Sequence, residues 1–177
     1  IAQMNADPAG AQNIDASNFN GVDTNPISAD YTDDAAQEIT GIADGTSVSI
    51  DNSLTENGLT LNRATEGSLD VSIGGDIAVD TTALTTEMVN ELTVTSTANP
   101  TTVDDIVSTM ALPDSTVALG TINLIANGGA LTATDVNIDT STGDDFSLTL
   151  NLTSDDNNAV TVTDVDANGG ADNTTGL

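Results

Sequence analysis

The sequence predicts an all-β chain, folded as a sandwich or jelly roll of about nine strands with two short helices. Three observations predict it. Apolar and polar residues alternate over most of the chain, the period of a half-buried strand. The 29 Thr favour strands, while 23 Asp and 18 Asn favour turns, because their short side chains bond nearby backbone groups. Ordinary helix formers are scarce, with five Glu and no Lys.

Residues 1–34 carry scattered apolar positions without a period: Ile1, Met4, Ile14, Phe19, Val22, Ile27 and Tyr31. This predicts a polar N-terminal arm, a candidate for docking onto a neighbouring subunit. Residues 35–177 form the predicted sandwich-like domain. Alternation begins after Glu38, with Val48/Ile50, Leu59/Leu61 and Leu69/Val71/Ile73 inward, and Ile77/Val79 in a short successor. Asn57-Gly58 and Gly74-Gly75 mark turns.

Residues 82–92 break the alternation. Leu84, Met88 and Leu92 stand four apart with Val89 beside them, the stripe of a short helix. A strand follows at Leu92–Thr95, and Asn99-Pro100 stops it. Thr102-Val-Asp-Asp105 reads as the capped, acidic first turn of a second helix, with Ile106, Val107 and Met110 inward and Pro113 at its end.

The remainder is β again. Residues 115–126 change phase near Gly120, and Asn127-Gly-Gly129 is a turn. Leu131/Ala133 and Val136/Ile138 change phase near Asp135, while Phe146/Leu148/Leu150 and Val160/Val162 alternate cleanly. No internal repeat of fixed period is visible.

Charge narrows the function. There are 28 acidic side chains against one base, Arg63, for a net −27. Such a chain repels polyanions, so no nucleic-acid role is expected. It also repels anionic membranes, and no apolar run is long enough to span one, so no membrane insertion is expected. Without His or Cys the usual zinc, haem and iron–sulfur ligand sets are missing, as are His-based triads. Without Lys there is no Schiff base and no P-loop lysine. A carboxylate pair remains, but sugar sites stack rings on aromatics, and Phe19, Tyr31 and Phe146 are the whole supply. The expectation is a protein that is not an enzyme.

One segment carries ligand chemistry. Asp164-Val-Asp-Ala-Asn-Gly169, continuing to Asp172, puts oxygen donors at positions 1, 3, 5 and 9 and Gly at 6. It resembles the Asp-rich loops of EF-hands and thrombospondin type 3 repeats, which implies Ca2+ held by Asp164, Asp166, Asn168 and Asp172. Thr175 stands where the bidentate acid of such loops would be, so the expected affinity is on the order of the millimolar extracellular range.

By composition and strand pattern the chain resembles secreted bacterial or archaeal surface-assembly proteins: extracellular filament, surface-layer and adhesin domains. Ile1 reads as a processed or truncated start, in keeping with export. The resemblance implies an extracellular or cell-surface structural protein whose partners are copies of itself, in a filament, layer or biofilm matrix. The alternative is a calcium-dependent adhesin or binding module of a larger surface protein, with glycans or cell surfaces as partners. Either way, self-repulsion at −27 must be relieved by cations, salt or backbone pairing.

Overall fold

A computed structural model of the chain describes residues 3–4, 12–17, 27–29, 37–50, 58–74, 84–98, 100–110, 118–140, 146–155 and 157–169. Among these residues the chain is all-β, without a helix. Twelve strands join one hydrogen-bonded network. They are β1 (Gln3–Met4), β2 (Gln12–Asp15), β3 (Ile27–Ala29), β4 (Gln37–Ile42), β5 (Val48–Ile50) and β6 (Leu59–Ile73), followed by β7 (Leu84–Ser96), β8 (Thr101–Met110), β9 (Ala118–Ala126), β10 (Leu131–Thr140), β11 (Phe146–Ser154) and β12 (Val160–Gly169).

Every pairing is parallel. Each residue pairs with one that lies between 21 positions on, as Ile27 with Val48, and 30 positions on, as Leu92 with Ile122. The chain therefore winds in coils, each laid in register on the one before. One ladder runs β2, β4, the first half of β6, the first half of β7, β8, β10, β12. The other runs β1, β3, β5, the second half of β6, the second half of β7, β9, β11. A single core lies inside the coils and draws on both ladders, with Leu59, Leu84, Ile106 and Val136 stacked in one and Val48, Val71, Val94 and Leu124 in the other.

The sandwich or jelly roll expected from the alternation needs antiparallel neighbours joined by hairpins. No described pairing is of that kind. Alternation reports that one strand face is buried and the other meets solvent, which is usual in antiparallel sheets but holds equally for parallel strands whose outer face is left uncovered, as in this stack. Tight connections here lead sideways to the other ladder and not back along the same sheet. The Asn127–Gly129 turn is present, and it joins β9 to β10 across the coil.

Both expected helices are strands. In β7, Leu84 and Thr86 face inward; Met88 then takes a left-handed φ of 60° and resets the phase, so that Val89 and Leu92 face inward. The apparent helical spacing is two strand halves joined at a corner, where the β6–β7 register shifts. In β8, Val103 and Ile106 are both buried across a two-residue outward bend at Asp104-Asp105. The same bend recurs between Ala133 and Val136, where the sequence reads a phase change, and between Val162 and Val165. Stacking on adjacent coils and the β preference of Thr and Val outweigh short-range helical spacing here.

The two strands read at 58–61 and 68–73 are one, β6, bent at a corner. Within residues 1–34, β1, β2 and β3 pair into the same network, so the described parts of that segment continue the coil stack. The short strand read at 76–79 and the phase change near Gly120 fall wholly or partly outside the described residues. Coil lengths that vary between neighbours explain why the repeat has no fixed period in sequence.

Candidate functional site

Three features of the stack carry side-chain chemistry. The first is the segment read as a calcium loop. Asp164, Asp166 and Asn168 lie on strand β12, where alternate positions stand roughly 6.6 Å apart along the chain. Asp172 lies outside the described residues. β12 instead places each of the three opposite a residue of β10: Asp164 by Asp135, Asp166 by Asn137, and Asn168 by Asp139.

Asp135 in turn faces Asp105 of β8, so Asp105, Asp135 and Asp164 form a column over three coils, at the shared bend. Burial, reinforced by the charges of Asp104 and Asp135, pushes the Asp105 carboxyl above its ordinary value. One Asp135 carboxylate oxygen is shielded from solvent and accepts no hydrogen bond. Among the described residues, no group of three or more acidic side chains converges as a metal site.

The second feature is the corner around the sole cation. Arg63 follows Leu59 and Leu61 in the inward phase of β6, and its side chain is fully buried. Its Nη2 meets Asp44 Oδ1 at 2.8 Å, Nε donates to the Thr65 carbonyl at 3.0 Å, and Nη1 donates to the Ser68 carbonyl. These bonds hold the bend of β6 between its two ladders. Gly67 makes room, since a Cβ there would stand 2.5 Å from Nη2. The Arg63 hydrogen bond and charge hold the Asp44 carboxyl below its ordinary value.

The third feature covers the outer faces. All four glutamates among the described residues accept a hydrogen bond from an asparagine on an adjacent coil. Asn13 bonds Glu38 at 2.6 Å, Asn62 bonds Glu87 at 2.6 Å, Asn123 bonds Glu91 at 3.2 Å and Asn90 bonds Glu66 at 3.3 Å. In a parallel in-register stack, like charges directly opposite repel. Asn13 and Asn62 stand directly opposite Glu38 and Glu87, while Asn123 reaches Glu91 from the position opposite Thr93; each neutral donor adds a charge-assisted bond where an acid would repel. Sequence reading missed these pairs because partners 24 to 32 residues apart become neighbours only once the coils stack.

The last described coil is open. Among the described strands, β11 pairs only with β9 and β12 only with β10. Leu148, Leu150, Val160, Val162 and Val165 pack against the core yet are only partly buried, and Leu152 is 51 % exposed.

The class that this winding defines is a parallel β-solenoid, with two ladders linked by corners and turns. No family model, curated protein or solved structure matches the chain.

Proposed function

We propose that the protein is a non-catalytic structural subunit of an extracellular or cell-surface assembly, whether filament, layer or biofilm matrix, with copies of itself as partners. The observation that supports this reading most is the β11–β12 coil, whose outer edge no other described strand pairs. Strand edges with unpaired backbone groups and half-buried apolar residues template the addition of further strands. Composition supports it as well. The outer faces carry Thr, Asn and Asp, with few aromatics on which to build a ligand pocket.

The charge fits an external setting rich in cations or salt, because screening shortens from about 10 Å at 0.1 M to about 3 Å at 1 M. Negative-stain microscopy and sedimentation, at low salt, at 1 M NaCl and with millimolar Ca2+, test the reading. Fibres or sheets at high ionic strength are the expected result. A monodisperse monomer under every condition would overturn it.

The second reading is a calcium-dependent adhesin or binding module. It is favoured by the acidic column at Asp105, Asp135 and Asp164, one oxygen of which is buried without a hydrogen-bond partner. Calcium-dependent retention on glycans or cells without self-association would select it. Calcorimetric silence toward Ca2+ would sink it.

A further inference from the structure

We propose that the open C-terminal coil is completed by the N-terminal coil of a second copy, stacked head to tail, with Asp166 of one copy facing Asn13 of the next. This rests on the self-assembly reading above and specifies its junction.

Strand direction permits the stack. All strands in both ladders run parallel, so β2 of a second copy continues the ladder that ends at β12, and β1 continues the one that ends at β11. Among the described strands β1 pairs only with β3 and β2 only with β4, so the N-terminal coil also presents an edge that no other described strand pairs. The tail end offers Leu152 and partly buried Val162 and Val165; the head end offers partly buried Ile14.

Register selects the pair. One unbroken column runs from Asn13 through Glu38, Thr60, Thr85, Val107 and Asn137 to Asp166. Continuing it across a junction brings exposed Asp166 opposite exposed Asn13. Asparagine facing a carboxylate in register is an arrangement the described chain already makes at Asn13–Glu38 and Asn62–Glu87. The Asn13 amide carries two N–H donors, and Glu38 accepts one of them. A tail-to-tail contact would instead bring the Asp164 and Asp166 edges of two copies together, so charge favours the polar stack. A heterologous contact of this kind propagates into a filament when it does not close into a ring.

Disulfide trapping tests the junction, because the chain has no cysteine of its own. Facing positions on paired strands stand about 5 Å apart, within disulfide reach. Full chains carrying Asn13→Cys and Asp166→Cys are oxidised in 1 M NaCl, separately and mixed, beside microscopy of the same samples. The expected result is at least tenfold more covalent dimer in the mixture than in either variant alone. A control mixture of Asn13→Cys with Thr60→Cys gives none. Adding Leu152→Lys to the Asp166→Cys chain lowers the yield at least fivefold with the unfolding midpoint unchanged. Assemblies that form without mixture-specific dimer overturn the junction and leave the assembly reading standing. Dimer formed equally by one variant alone shows a symmetric contact and overturns it too. Absence of both assemblies and dimer overturns the proposal together with the reading beneath it.

Discussion

Asn62 and Glu87 face each other on successive coils, and the Asn62 amide donates to the Glu87 carboxylate at 2.6 Å. With Asn13–Glu38, Asn90–Glu66 and Asn123–Glu91 it forms a set of neutral-to-charged contacts across the stack. A chain with net charge −27 can then lay coil on coil without setting its described glutamates against one another.

Replacing Asn62 by Asp sets two carboxylates opposite each other. The Asn62→Asp variant is expected to lose about 1 kcal/mol at neutral pH and low salt. The loss shrinks in 1 M NaCl, where screening is strong. Denaturant unfolding at two salt concentrations checks it; an equal loss in both would show that repulsion is not the cause.

The Arg63 corner predicts a coupled pair. Arg63→Met keeps an unbranched apolar stem but removes the guanidinium and leaves the Thr65 and Ser68 carbonyls without this donor, for an expected loss of about 3 kcal/mol. Gly67→Ala crowds the guanidinium and also destabilises the native chain. In the Arg63→Met background the Gly67→Ala cost falls, and a double-mutant cycle reads the difference.

Two aspartates give opposite pH responses. Asp44 is depressed in the folded chain, so its stabilisation is present above its ordinary value of 3.8 and is lost as pH falls through the lower folded value. Asp44→Asn should therefore weaken the fold at neutral pH, with the difference vanishing at the acid end. Asp105 is raised, chiefly by burial and then by Asp104 and Asp135, so the folded chain takes up this proton first. Its ionised form costs stability above the raised folded value, and the cost disappears as pH falls through that value toward 3.8. Asp105→Asn should strengthen the fold at neutral pH and flatten that part of the profile. Unfolding midpoints between pH 3 and pH 7 check both signs, the range being chosen to bracket the carboxylate values (about pH 4).

Backbone geometry at two turns predicts a further contrast. Gly128 has φ of 102°, and a Cβ there would collide with the Thr97 carbonyl oxygen of the coil below. Gly128→Ala should cost more than about 2 kcal/mol, because backbone on both sides must shift. Met88 holds a left-handed φ of 60° with a side chain 37 % exposed. Met88→Gly should raise stability by about 1 kcal/mol by relieving that strain. Chemical denaturation of the two variants reads both.

Much of the local structure is legible in the sequence. The inward phases of β5, β6 and β9 (Val48/Ile50, Leu69/Val71/Ile73, Ile122/Leu124) follow from alternation, and the phase change near Asp135 is a real bend. The corner at Met88 misled because a left-handed residue between two strand halves gives apolar spacings that match a helical stripe. The donor spacing at Asp164–Asn168 reads as a loop in the sequence, whereas the structure places these three residues on strand β12, and Asp172 lies outside the described residues.

Local pattern and composition were enough to show that the chain is β, which faces of β5, β6 and β9 are apolar, and that the chain is strongly acidic. Those properties depend on residues within about ten positions of each other. That the strands are parallel, that the coils stack in register, and that Asn62 meets Glu87 and Arg63 closes a corner on Asp44 emerges from the folded chain alone. Those depend on which segments, some 20 to 30 residues apart, lie side by side. Alternation is the same for parallel and antiparallel neighbours, so the choice rests with stacking of the whole core.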